Sequence, residues 1–207
     1  MALPPVVSAE QWSDVRDELL VAEKEATRAL DALAAKRRRL PMVAVDTPYV
    51  FESPTGPRSL LDLFDGRSQL VVYQFMDVGP DSFCPGCTNF TDSVANLAGV
   101  KAGDVSFVVV SNMPLAQIEG YWKEKGWTVP YVSSRGTPFA DDCGAGPYFG
   151  LSVFIRDGDA VYRTYFTKGR GVDRMLFDHN VFDLVPYGRQ EDWEDSPPGW
   201  PQHPTYG

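Results

Sequence analysis

The stretch Phe83-Cys84-Pro85-Gly86-Cys87 places two thiols two residues apart. Such a pair can exchange electrons with a disulfide, attack a peroxide, contribute half of a metal site, or fill core space as inert apolar groups. Pro85 suits the first position of a helix, because its φ is already helical and its missing N–H would have had no partner there. That predicts Cys84 at the N-cap and Cys87 in the first turn, with free backbone N–H groups and the positive helix end facing the first sulfur. A thiolate is stabilised in such a place, and the thiolate is the nucleophile.

Residues three apart on a helix have Cβ atoms roughly 5–6 Å apart, a little beyond the roughly 3.5–4.5 Å of a disulfide. A small adjustment of the terminal turn closes that gap, so the bond can form and break without rebuilding the fold. The negative side chains Asp77, Asp81 and Asp92 work against a thiolate, and no Lys or Arg lies between Arg67 and Lys101. Helix terminus and acidic surroundings therefore oppose each other.

A metal site would need two further ligands, and Cys143, His179 and His203 are each isolated, so neither metal nor cofactor is expected. The inert reading leaves the Pro-Gly insert at a helix start without a reason. A peroxidase reading uses the same letters: Pro80, Cys84 and Cys87 form P-x-x-x-C-x-x-C, which resembles the peroxiredoxin pattern with Cys87 in the peroxidatic place. Arg135 and Arg156 are the candidates for the arginine such a site would bring to its thiolate. Cys143, in the Gly- and Pro-rich TPFADDCGAGPYFG, reads as a structural thiol on a loop, and His179 reads as an ordinary surface or hydrogen-bonded histidine.

These thiols need elements to hold them. QLVVYQFM (69–76) reads as a buried strand leading into the motif, TNFTDSVANLA as helix, and 104–112 as a second buried strand. PLAQIEGYWKEKG is a helix begun by Pro114 and stopped by Gly126. LSVFIRDGDAVYRTYFT gives a hairpin around Asp157-Gly158-Asp159, and VDRMLFDHNVFDLV a last helix. Ahead of them lie a strand, a turn at Ser53-Pro54-Thr55-Gly56 and a short helix opened by Ser59. Strand, helix, strand, helix, hairpin, helix predicts an α/β thioredoxin-like sandwich, a small mixed sheet with helices on both faces. Trp122, Trp127, Tyr121 and Tyr131 read as core aromatics, or as a wall facing substrate.

The N-terminus is separate in character. Ser8 and Gln11 make a capping box, and Trp12, Val15, Leu19, Ala22, Ala26, Leu30 and Leu33 recur at intervals of three and four. One long helix over 9–39 is predicted, with its apolar stripe docked on its own domain or on a second copy as a homodimer. The expected organisation is an extension over 1–41, the domain over 42–185 and a tail over 186–207 anchored by Trp193 and Trp200.

Lys plus Arg number 19 against 28 Asp plus Glu, a net charge of −9 in 207 residues. Nucleic acid and anionic membranes are poor partners for such a surface. MALPPVVSAEQWSD has no basic start followed by an apolar run, and three cysteines suit a reducing compartment, so a soluble cytoplasmic protein is expected.

Several stretches together resemble the thioredoxin-like domain-of-unknown-function family 899, described as predicted dithiol-disulfide oxidoreductases. They are SLLDLFDGRSQLVVYQFM, FCPGCTNFTD, FVVVSNMPLAQIEGY, KGWTVPYVSS, FGLSVFIRDGDAVYRTYFTKGRG and the ending PYGRQEDWEDSPPGWPQHPTYG. Members commonly run on past the point where this chain stops. The resemblance implies Cys84 as attacking and Cys87 as resolving thiol, with Phe83 in the place of the thioredoxin Trp and Pro85-Gly86 reversing Gly-Pro. It also implies Gly150-Leu151 roughly where thioredoxins set a cis-proline against the active site, so Phe83, Pro85, Gly86, Gly150 and Leu151 are the candidate substrate contacts. The expected partners are a protein or small-molecule disulfide, or a peroxide on the alternative reading, together with a thiol electron donor. A third reading is a non-enzymatic binding module acting through the long helix.

Overall fold

The computed structural model describes residues 3–204, which divide into two compact units: the chain up to Leu40 together with that from Val181 onward, and Pro41–Asn180. The second unit is built on a six-stranded mixed sheet of order β1-β8-β7-β4-β5-β6. Its strands are β1 (Val43–Ala44), β4 (Gln69–Phe75), β5 (Val105–Ser111), β6 (Tyr131–Ser133), β7 (Gly150–Asp157) and β8 (Ala160–Thr167). β4, β5 and β6 run parallel, while β7 is antiparallel to β4 and to β8. A separate short ribbon pairs β2 (Val50–Phe51) with β3 (Arg58–Ser59). Parallel strands joined through helices and closed by an antiparallel hairpin make this a thioredoxin-like fold.

Alternation along the strands divides the core in two. Tyr73, Phe75, Phe107, Val109 and Leu151 join one apolar cluster with Cys84, Cys87 and Phe90. Leu70, Val72, Val108, Val110 and Phe154 join the other, with Phe51, Phe64, Phe139 and Cys143. Central strands covered on both faces explain why 69–76 shows no polar alternation in sequence.

The helices of this unit are α2 (Pro85–Asp92), α3 (Ala98–Ala102), α4 (Leu115–Lys125) and α5 (Phe139–Asp142), with α6 (Phe177–Phe182) beginning in it. α4 ends where expected, at Gly126 with φ 68, a conformation glycine adopts without steric cost. The expected helix after the cysteines is shorter, stopping at Asp92. There Ser93 donates its hydroxyl back to the Asn89 carbonyl, and Asn96 Oδ1 accepts from Ala98 N to begin α3 separately. The element opened by Ser59 is a single 3-10 turn (Asp62–Phe64) closed by Asp65 at φ 50. TPFADDCGAGPYFG is only partly loop, since it contains α5 with Cys143 as its C-cap. The stretch before the last helix is likewise a 3-10 run, Gly169–Met175.

In the first unit, α1 spans Ala9–Arg37. The Ser8 and Gln11 side chains each bond the other's backbone N–H, completing the box read from sequence. No residue of α1 is buried. The C-terminal segment is ordered by its own contacts: Arg189 grips Asp183 with two bonds of 2.8 Å, His203 N donates to Gln190 O at 2.7 Å, and Tyr187 meets the buried Trp200 edge-on. Trp193 stays partly exposed, with the Arg189 guanidinium over its ring. No helix among the described residues is long and apolar enough to cross a membrane.

Candidate active site

β4 delivers the chain to the motif. Its last residue, Phe75, lies beside Ser111 of β5 and packs in the cysteine-bearing cluster. Ten residues later α2 begins, with Cys84 as N-cap in an extended conformation (φ −62, ψ 118) and Pro85 at the first helical position. The Cys84 sulfur accepts from Cys87 N at 3.3 Å, so a thiol takes the role usually played by a Ser or Asp oxygen. Both cysteines are buried free thiols, while Pro85 and Gly86 between them are exposed. The motif thus presents its two small linking residues to solvent and keeps its sulfurs beneath them.

The two sulfurs are electrostatically unlike. The Cys84 thiol is drawn down to about 6, first by a hydrogen bond from the Cys87 side chain and then by the Cys87 and Gly86 N–H groups, against the opposing effect of burial. Cys87 is pushed up, because its thiol is the donor to Cys84 and because it is buried. One proton is therefore shared by the pair and resides on Cys87, leaving the charge on Cys84. Two of the acids weighed against a thiolate are occupied elsewhere: Asp77 accepts from Gly79 N, and Asp92 accepts from Trp127 Nε1 at 2.7 Å. Neither is among the groups that shift Cys84, and the Cys87 hydrogen bond together with the N–H groups of the helix start prevails.

Two further groups meet the Cys87 sulfur. Met76 N donates to it at 3.4 Å, and the Tyr73 hydroxyl is a hydrogen-bond partner that favours its ionised form. Tyr73 is fixed by stacking on Phe90 of α2 at 3.7 Å. On the outer side Phe83 stacks flat on Tyr121 at 3.5 Å, and the Tyr121 hydroxyl pairs with Thr88 Oγ1, which donates to the Cys84 carbonyl. An aromatic stack is therefore linked to the helix that carries Cys84.

Of the candidate contacts, Phe83 and Leu151 pack in the same cluster as the sulfurs. Gly150 is the residue whose side-chain direction is turned away: a Cβ there would come within 2.6 Å of Phe166 Cε2, on the opposite side of β7 from Leu151. Phe149, just before it, packs against the cysteine cluster instead. Cys143 belongs to the cluster on the other face and is pushed up to about 11 by burial, the behaviour of an inert thiol. Arg156 is held by the Gly66 and Arg67 carbonyls beyond the far end of β4, and Arg135 borders a groove with Pro57 and Pro138, so neither reaches the thiols. His179 pairs with Asp173 at 3.9 Å. Trp122 is a core residue bonded to Val129 O at 2.9 Å. Among the described residues, no group of three or more His, Cys, Asp and Glu is arranged to hold a metal.

Tyr73, Met76 and Phe149 had no signal of their own in the sequence. Only strand register and the crossing of β4 by α2 bring them to the sulfurs.

Among solved structures the chain is similar to a hypothetical protein of Sinorhizobium meliloti 1021, at 17% identity over 62% of this chain and 71% of that one, with a TM-score of 0.48. It is also similar to the peroxidoxin BcpB of Mycobacterium tuberculosis (21% identity, 66% and 94% covered, TM-score 0.45). A third is the exposed lipoprotein thioredoxin Etrx1 of Streptococcus pneumoniae (13%, 64% and 99%, TM-score 0.45). No curated protein matches the sequence. Residues 1–206 match the bacterial proteins of unknown function DUF899, and the chain belongs to that family.

Proposed function

We propose that the protein is a dithiol-disulfide oxidoreductase acting in a reducing compartment through Cys84 and Cys87. The observation that carries this reading is the Cys84 sulfur at the helix N-cap, bonded to Cys87 N at 3.3 Å and ionised near neutral pH. Cys84 thiolate attacks one sulfur of a substrate disulfide, that S–S bond breaks, and the departing thiolate takes a proton while a Cys84 mixed disulfide forms. The charge that held the proton on Cys87 has then gone. Cys87 ionises toward the Met76 N–H and the Tyr73 hydroxyl, attacks Cys84 Sγ and releases the second substrate thiolate. Two electrons have passed to the substrate, the Cys84–Cys87 disulfide remains, and a thiol donor returns two electrons to it and regenerates the dithiol.

The peroxidase alternative would make Cys87 the thiolate that attacks the peroxide, yet the pair favours ionisation at Cys84, while the proton Cys87 donates to Cys84 and its burial hold Cys87 up. One comparison separates the two: reduction of glutathione disulfide and of hydrogen peroxide by wild type, Cys84→Ser and Cys87→Ser. Oxidoreductase chemistry predicts loss of disulfide reduction in Cys84→Ser and a trapped mixed disulfide in Cys87→Ser. Full disulfide reduction by Cys84→Ser would remove the proposal, and peroxide consumption abolished by Cys87→Ser but retained by Cys84→Ser would replace it with the alternative.

A further inference from the structure

Cys84, Cys87 and the residues that meet them belong to the other unit, and α1 carries features a solvated helix does not need. Trp12, Leu19, Ala26 and Leu33 are spaced by seven, and Val15, Ala22 and Ala29 fall three after the first three of them. These are the a and d positions of four consecutive heptads, the pattern of a helix that lies along another helix. The large members stand in water: Trp12 is 62% exposed, Val15 66%, Leu19 54% and Leu33 45%. From Trp12 to Leu33 the seam runs about 32 Å along a helix of 29 residues.

Charge selects what covers it. Residues 9–25 carry six acidic and two basic side chains, and residues 26–39 carry five basic and one acidic. Acid at the start and base at the end suit the helix dipole, but that effect fades within the terminal turns. Glu18, Glu23 and Glu25 lie well beyond the first turn and need another reason. A second copy of the same helix running antiparallel sets each acidic half against a basic half, twice over, by one two-fold axis. A parallel copy would set like against like over both halves, within the Debye length at physiological salt.

We infer that α1 is a homodimerisation helix that pairs with α1 of a second copy in antiparallel orientation through Trp12, Val15, Leu19, Ala26 and Leu33. Sedimentation equilibrium of the full, reduced chain should give twice the chain mass, with association weakened by high salt. Leu19→Glu/Leu33→Glu should sediment as a monomer and keep the alkylation rate of Cys84, since no redox residue is changed. Orientation is read by thiol cross-linking in a Cys84→Ser/Cys87→Ser background. A mixture of Gln11→Cys and Lys36→Cys chains should cross-link, and either variant alone should not.

A monomeric wild type, or a dimer indifferent to Leu19→Glu/Leu33→Glu, would overturn the inference. So would cross-linking of Gln11→Cys chains with one another, the mark of parallel helices.

Discussion

Cys84 and Cys87 differ because a single proton cannot serve both sulfurs. The largest influence lowering Cys84 is the hydrogen bond from Cys87, ahead of the backbone N–H groups, so the acidity of Cys84 depends on its partner. The rate of Cys84 alkylation should therefore rise with pH through a midpoint of about 6. Cys87→Ala removes the donor and should move that midpoint up by about one unit or more, toward the ordinary thiol value of 9.0. Cys87→Ser keeps a donor and should fall between. The pH dependence of iodoacetamide reaction, followed by mass spectrometry, measures all three. A wild-type midpoint near that of a free thiol would mean that the helix start and the shared proton are ineffective.

At the scale of elements, the site depends on how β7 lies against β4. Gly150 pairs with Gln74 and faces Phe166, while its neighbour Leu151 pairs with Tyr73 and faces the thiols. A methyl group at 150 would have to displace the Phe166 ring, which stands 2.6 Å from the Cβ position. Gly150→Ala is accordingly expected to cost about 1–3 kcal/mol, the usual range for overpacking. Phe166→Leu in the same chain should restore part of it, and urea unfolding of both variants tests the pair. An unshifted Gly150→Ala midpoint would show the contact to be slack.

The strands and helices themselves were largely legible, because each carries its own punctuation. Ser8 with Gln11 starts α1, Pro85 starts α2, Gly126 ends α4, and Gly158 at φ 57 turns the hairpin. What sequence did not show depends on distant partners. β1 is two residues long and exists because Val43 and Ala44 pair with Arg163 and Tyr162. α5 is one turn, packed through Phe139 on Phe51 and Tyr49. The N-cap place of Cys84 is readable from Cys-Pro-Gly-Cys for the same local reason as the helix start, whereas Tyr73 beside Cys87 is a product of packing.

Over the whole sheet domain, thiols on the two faces pull stability in opposite directions with pH. Cys84 is depressed below its ordinary value of 9.0 to about 6, so its contribution is present above 9 and is lost as pH falls through 6. Cys143, raised to about 11 by burial on the other face, contributes stability that is complete below 9 and is lost as pH rises through 11. Cys87 is also raised and adds to the alkaline loss. The reduced protein should thus gain stability from pH 6 toward 9 and lose it beyond. The Cys143 share of that loss is about 2–3 kcal/mol, two pKa units of differential protonation. Urea unfolding across this range in a non-thiol reductant should show both limbs. Cys143→Ala should flatten the alkaline limb and leave the acid one, whereas Cys84→Ser should remove the acid limb and, through Cys87, reduce part of the alkaline one. A Cys143→Ala chain that keeps the full alkaline loss would assign that limb to Cys87 and the buried tyrosines, and would place the Cys143 thiol in wetter surroundings than its 7% exposure implies.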